Sequence, residues 1–174
     1  MHFSILPILF LTSKVIADGQ KIIDAIEEIA NTTTSLNQTV ESWPGTLLTS
    51  LPILTLSTKL LLNINTGIHT ASSSANLTLA ETITIATSTQ NLVSTVESTL
   101  HTIVGAKPKF DHLLFSPLIL LNLVEEKSAT DKFSAAIIGK IPAVFQEFSR
   151  QLVAPVDTAF EASIAVYERV DGGK

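Results

Sequence analysis

The apolar residues of this chain recur at three- and four-residue steps in five long stretches, which is the spacing of an amphipathic helix. The stretch from Leu47 to Ile68 is the richest in apolar residues. Its main stripe consists of Ile53, Leu54, Leu60, Leu61, Ile64 and Ile68. Apolar residues also cover its other faces, at Leu48, Leu56 and Leu62. A helix that is apolar nearly all round packs inside a bundle or against a bound apolar ligand.

Gly45, Gly67, Gly105 and Gly139 lie at the breaks between the stretches, as expected at helix ends, and three of them have a proline nearby. The predicted helices cover residues 18–42, 47–68, 78–104, 109–138 and 142–168, with a polar loop at 69–76. Thr78 and Glu81 have the spacing of a capping box. Pro117 should lie in a first turn or kink its helix, and Pro155 should bend the last one. Frequent Thr, Val and Ile favour strands, but helical periodicity outweighs this propensity. We therefore predict an all-α fold, a five-helix bundle.

The composition fits either a membrane protein or a protein with a large apolar interior. Hydrophobic residues make up 45% of the chain and charged residues 16%, with a mean hydropathy of +0.39. No run of about 20 mainly apolar residues, the length that spans a bilayer, is present. We therefore predict no transmembrane segment and a neutral, polar surface. The net charge of −5 and the lack of a Lys/Arg cluster exclude nucleic acid as a partner.

The N-terminus has the pattern of a secretory signal peptide. An apolar core spans residues 3–11, and Val15-Ile16-Ala17 offers a cleavage site after Ala17. A buried N-terminal helix is the alternative. The predicted organisation is a signal peptide at 1–17, a single helical lipid-binding domain at 18–170 and a frayed tail at 171–174.

One further feature agrees with export. Asn31, Asn37 and Asn76 each begin an Asn-X-Ser/Thr acceptor for glycosylation. The chain has no cysteine, so its stability must come from its core rather than from disulfides. We expect a secreted glycoprotein.

The residues that usually carry catalysis are sparse. The three histidines beyond residue 17, His69, His101 and His112, lack metal-ligand spacing. The pairs Glu27-Glu28 and Glu125-Glu126 are adjacent, so each pair points apart on a helix and is interpreted as solvated. No GxSxG motif, phosphate-binding glycine loop or cysteine nucleophile exists. We predict no enzyme, no metal site and no cofactor.

Hydroxyl groups on apolar stripes are the stronger signal. Ser57 lies in the middle of the second stripe, and Thr33 has the matching position in the first. Each could bond a backbone carbonyl one turn earlier, as Ser and Thr do within helices. Alternatively, they could hold the head group of an amphipathic ligand. A buried acyl tail would then set affinity, at about 0.8 kcal/mol per CH₂, and a hydroxyl, at about 1.5–3 kcal/mol, would set orientation.

Several short segments, in a consistent order along the chain, resemble the fungal hydrophobic surface-binding protein A family, which includes cell-wall galactomannoproteins. They are Ile22-Ile23-Asp24-Ala25-Ile26, Trp43-Pro44-Gly45, Leu51-Pro52-Ile53-Leu54, Ser57-Thr58-Lys59-Leu60-Leu61, Leu77-Thr78-Leu79-Ala80-Glu81, Lys107-Pro108-Lys109-Phe110-Asp111 and Lys140-Ile141-Pro142-Ala143-Val144. The resemblance implies a bundle with a central hydrophobic cavity, a fungal protein that is secreted or held in the cell wall, and no catalysis. It also implies binding of a fatty acid such as arachidonic acid, with serine hydroxyls near the carboxylate, and hence a role in sequestering host lipid. Ser57 is the position carried over, and Ser35 is the second candidate.

Three hypotheses follow. The first is a secreted protein that encloses a long-chain fatty acid or other lipid. The second is a surface protein that adsorbs to hydrophobic solids or cell-wall polysaccharide and recruits hydrolases, and the third is a structural wall mannoprotein. A tunnel lined by Ile53, Leu61, Val93, Phe145 and Phe148 would favour the first, whereas a filled core with an exposed apolar patch would favour the second. The candidate ligand-binding residues are Ser57, Ser35, Thr33, Ile53, Leu54, Leu61, Val93, Phe145 and Phe148.

Overall fold

The computed structural model describes residues 9–169, and their side chains from residue 18 onward. This part of the chain contains α-helices, one short 3₁₀ turn and no strand. The elements are α1 (Leu9–Ser42), the 3₁₀ turn (Leu48–Ser50), α2 (Leu51–Ser73), α3 (Leu79–Gly105), α4 (Lys107–His112), α5 (Ser116–Ile138) and α6 (Ala143–Glu168). The predicted signal peptide at 1–17 and tail at 171–174 lie outside the residues whose side chains are described, so both remain predictions.

The five long helices form a closed ring. Helix α1 packs between α2 and α3, α2 packs on α5, α5 on α6, and α6 returns to α3. Each helix turns one apolar stripe inward, and the stripes form one continuous core. The predicted all-α five-helix bundle is confirmed. A ring of five helices has a wider centre than one of four, so it can leave a central space.

The predicted helix signals lie where the helices begin. Thr78 is the N-cap of α3, and its Oγ1 accepts a hydrogen bond of 3.3 Å from the Glu81 backbone N–H. The Glu81 carboxylate accepts one of 2.8 Å from the Thr78 N–H, which completes the capping box. Pro117 lies in the first turn of α5, and Pro155 lies inside α6.

The predicted loop at 69–76 is wrong over residues 69–73, because α2 continues through Gly67 to Ser73. The Ser73 and Ser74 hydroxyls donate to the carbonyls of His69 and Thr70, four residues earlier. The polar residues therefore extend the helix instead of ending it. Gly67 marks a close approach between helices: a Cβ added there would lie 2.8 Å from Cε2 of Phe133 on α5.

The fourth predicted helix is divided in two, which the apolar pattern did not indicate. Between α4 and α5 the chain turns at Leu114, whose φ of 60° lies in the left-handed region. The Phe115 N–H donates to the Phe110 carbonyl at 2.8 Å and closes the turn. Pro117 has no N–H to continue a helix from α4, so α5 starts afresh. Phe110 is buried against Trp43, with 4.6 Å between ring centroids.

Candidate functional site

The centre of the helix ring contains an apolar cavity. Its volume is about 80 Å³. All five long helices line it, mostly with Ile, Leu, Val and Phe side chains. Its polar lining consists of the hydroxyls of Thr33, Thr89, Thr99, Thr130, Ser134 and Ser149 and the carboxyl of Glu126. A cavity so poor in polar partners is suited to an apolar ligand rather than to ordered water.

A larger cleft borders this cavity between α5 and α6. The volume of this cleft is about 490 Å³. The two spaces share five lining residues: Thr130, Ser134, Ile138, Val153 and Val156. The outer rim of the cleft is polar and includes Asp131, Arg150 and Asp157. Because the two spaces share these lining residues, the cleft is the natural direction in which the cavity could extend.

Ser57 and Glu126 form a buried polar pair where α2 packs against α5. The Ser57 Oγ donates a hydrogen bond of 2.6 Å to Oε1 of Glu126. Ser57 is 8% exposed and Glu126 is 4% exposed. Glu126 lines the central cavity and also a smaller one of about 20 Å³, which Ser57 and Ile53 line as well. The pair therefore stands at the boundary between two apolar spaces.

Burial controls the ionisation of Glu126. Desolvation raises the pKa of its carboxyl to about 7, against a lowering by the Ser57 hydrogen bond and a small further rise from the charge of Glu125. No described residue donates a hydrogen bond to Glu126 Oε2. Near neutral pH the carboxyl is therefore poised between its neutral and ionised forms.

The burial of Glu126 corrects the prediction that the Glu125-Glu126 pair is solvated. Glu125 is exposed, but Glu126 lies on the inward stripe of α5, at helical spacing from Ile119, Leu123 and Phe133. The argument that identified Ser57, a polar side chain on an apolar stripe, would also have identified Glu126. The adjacent Glu125 leads to the interpretation that both carboxyls are solvated.

The other two predicted hydroxyls do not resemble Ser57. Thr33 is 2% exposed and lines the cavity, but its Oγ1 donates to the Ile29 carbonyl at 2.8 Å. Ser35 is exposed and donates to the Asn31 carbonyl at 2.9 Å. Backbone bonding thus accounts for Thr33 and Ser35, whereas the Ser57 hydroxyl reaches across to another helix.

Only some of the predicted apolar residues line a cavity. Val93 lines the central cavity and Ile53 the smaller one, whereas Leu54 and Leu61 are half-buried and line neither. Phe145 and Phe148, 36% and 58% exposed, lie outside both cavities, contrary to the prediction. The inward stripe of α6 is Ser149, Leu152, Val153, Val156 and Phe160. Phe148 is rotated from it by about 100°, and Phe145 lies one turn before it.

The remaining candidates lie at the surface. Asn31 is exposed and Asn37 is half-buried on α1, and Asn76 is exposed in the loop between α2 and α3. His69, His101 and His112 are exposed. Among residues 18–169, no group of three His, Asp or Glu side chains is arranged to hold a metal ion. None of the helices in the described part of the chain combines the length and hydropathy needed to cross a bilayer.

Comparison with known proteins identifies the family of this chain. The family model of hydrophobic surface binding protein A matches residues 19–139. The chain belongs to this family. It is 24% identical over 157 residues to cell wall mannoprotein 1 of Aspergillus fumigatus, and 24% identical over 152 residues to that of Aspergillus flavus. These matches cover 90% and 87% of this chain but 55% of each relative, so the chain spans about half the length of these curated relatives.

Solved structures of the same architecture carry lipids. The structure of AfMp4p in complex with palmitic acid has a TM-score of 0.84 at 23% identity, covering 86% of this chain and 99% of that one. Ligand binding domain 1 of the Penicillium marneffei MP1 protein, complexed with arachidonic acids, has a TM-score of 0.83 at 17% identity, covering 87% and 99%. At these identities the similarity establishes a shared fold.

Proposed function

We propose that this chain is a secreted, non-catalytic protein that encloses the tail of a long-chain fatty acid or related lipid inside its helix ring. The observation that carries the proposal is the central cavity, lined mostly by apolar side chains, with the larger α5–α6 cleft beside it. The lipids bound by AfMp4p and by the MP1 domain of the same fold support it. The cell wall mannoprotein relatives support an extracellular or cell-wall location.

Tail burial would provide most of the affinity. Each CH₂ transferred from water contributes about 0.8 kcal/mol, before the costs of ordering the ligand and its surroundings. The described cavity has room for only a few water-sized spheres. We therefore expect a long tail to separate α5 from α6 and to occupy part of the cleft.

The test begins with native mass spectrometry of the secreted protein, to find lipid that co-purifies with it. Titration of the delipidated protein with a fluorescent fatty acid then compares Val93→Phe with Val144→Phe. Val93 lines the cavity, whereas Val144 is 82% exposed, so the same substitution should weaken binding only at residue 93. Equal affinity in both variants, or no lipid binding by the parent protein, would contradict the proposal.

Exposed apolar side chains favour a second function, adsorption to hydrophobic surfaces. The large exposed residues include Leu47, Leu48 and Leu51 before and at the start of α2, Leu114, Leu118, Leu121 and Val124 around α5, and Val144, Phe145 and Phe148 on α6. Val144, Phe145 and Phe148 are neighbours at helical spacing on α6, and contiguous exposed apolar side chains mark interaction sites, which here would contact wall polymers or recruited hydrolases. The double variant Phe145→Ser/Phe148→Ser should reduce adsorption to alkyl-coated beads and leave fatty-acid binding intact. Reduced fatty-acid binding with unchanged adsorption would reverse these assignments.

A further inference from the structure

The Ser57–Glu126 pair carries an inference about the head group of the ligand, and this inference rests on the proposed function. Glu126 Oε1 is occupied by the Ser57 hydroxyl at 2.6 Å. Oε2 has no hydrogen-bond donor among the described residues, and the Glu126 side chain lines the central cavity. An acceptor that no described donor meets, beside an apolar ligand space, favours a ligand that brings its own donor.

The surroundings of Glu126 offer no cationic side chain that would hold an anion. Helices α1, α2, α3 and α6 contribute only apolar and hydroxyl side chains to the central cavity. In the smaller cavity the additional polar neighbour is Asn122. Glu126 is the only ionisable described side chain on either cavity, and the charge that acts on it is Glu125, exposed on the same helix. A lipid carboxylate placed here would meet a second carboxylate and no cation.

We propose that Glu126, held by Ser57, selects lipid head groups that donate a hydrogen bond. A long-chain alcohol fits as it is, with its hydroxyl donating to Oε2. A fatty acid fits only when it and Glu126 share one proton between them, because two carboxylates at one site cannot both remain ionised. The head group excluded is the free carboxylate anion.

This selectivity predicts proton uptake that depends on the ligand. At pH 8 Glu126 and a fatty acid are both mainly ionised before binding, so formation of the shared pair must take one proton from solution. Binding of an alcohol at the same pH requires none. At pH 5.5 Glu126 already carries the proton, and the acid should bind more tightly than at pH 8 without uptake. Glu126 thus makes acid binding dependent on pH and leaves alcohol binding nearly constant.

The experiment compares cis-9-hexadecenoic acid with cis-9-hexadecen-1-ol, which share one tail. Isothermal titration calorimetry at pH 8, in two buffers of different ionisation enthalpy, counts the protons taken up and needs no variant. We expect close to one proton per acid bound and close to none per alcohol. Glu126→Gln should reduce the preference for the alcohol by at least tenfold and abolish the uptake. Glu125→Gln, which removes the same charge from the neighbouring exposed position, should change neither.

The possible failures are distinguishable. Acid binding at pH 8 without proton uptake, with selectivity unchanged by Glu126→Gln, would overturn the inference while leaving lipid binding established. A loss of that acid binding in Arg150→Ala would also overturn it, by locating the carboxylate in the α5–α6 cleft. If neither lipid binds the parent protein at pH 5.5 or pH 8, the proposed function fails and this inference fails with it.

Discussion

Helix α5 has two different neighbours in the ring. On its α2 side, Gly67 lies against the Phe133 ring and Ser57 is hydrogen-bonded to Glu126 at 2.6 Å. On its α6 side, a cleft of about 490 Å³ opens, and Lys127 of α5 forms an ion pair with Asp157 of α6 across it. Close packing resists separation because every displaced contact is lost, whereas a partly exposed ion pair contributes little. The ring should therefore open for a ligand between α5 and α6 and stay closed between α2 and α5.

The raised pKa of Glu126, on the α2 side, should have the largest effect on the stability of the fold. Burial raises the pKa of its carboxyl from 4.5 to about 7, so the folded state holds a proton that the unfolded state releases. The stability from this protonation is complete below pH 4.5 and is lost as the pH rises to about 7. The expected loss is about 3 kcal/mol of unfolding free energy between these pH values.

Urea unfolding at pH 4.5, 6 and 7.5 measures this loss. Glu126→Gln stays neutral at every pH and should remove most of the dependence, while Glu125→Gln should keep it. An unchanged pH profile in Glu126→Gln would mean that other groups set the stability, and that the buried carboxyl does not control this contact.

The close approach of α2 to α5 can be tested at Gly67. A methyl group there would lie 2.8 Å from the buried Phe133 ring, so Gly67→Ala should force the helices or the ring to move. Overpacking of this kind costs about 1–3 kcal/mol, which exceeds the gain in helix propensity of about 1 kcal/mol. Thermal or urea unfolding should therefore show a net loss of up to about 2 kcal/mol.

Gly105, at the end of α3, is the matched control, because an added Cβ meets nothing within 4 Å. Gly105→Ala should leave stability unchanged or raise it slightly. Stabilisation by both substitutions would show that the Phe133 ring yields without cost, and the contrast between the two sides of α5 would then be smaller than the packing indicates.

Gly67 and Glu126 also show how far sequence reasoning reaches. Helical periodicity predicted the five long helices, because an inward stripe is a local property of the sequence. The sequence alone indicates a helix end at Gly67. The residue that requires a glycine there is Phe133, which lies on a distant part of the chain. Ser57 was recognised by its place on a stripe. Glu126 has the same kind of place on α5, but the adjacent Glu125 leads to the interpretation that both are solvated, and the packed structure shows that the two carboxyls have opposite environments.

The α6 side of the comparison is tested by obstructing the cleft. Ser134 is half-buried and lines both the cleft and the central cavity, whereas Ser128 is exposed on the same helix. Ser134→Trp should fill the passage between the two spaces and weaken fatty-acid binding at least tenfold, which corresponds to about 1.4 kcal/mol. Ser128→Trp should bind as the parent protein does, as measured by fluorescent fatty-acid titration. If Ser134→Trp leaves both affinity and association rate unchanged, the ligand does not use the space between α5 and α6, and the separation must occur elsewhere in the ring.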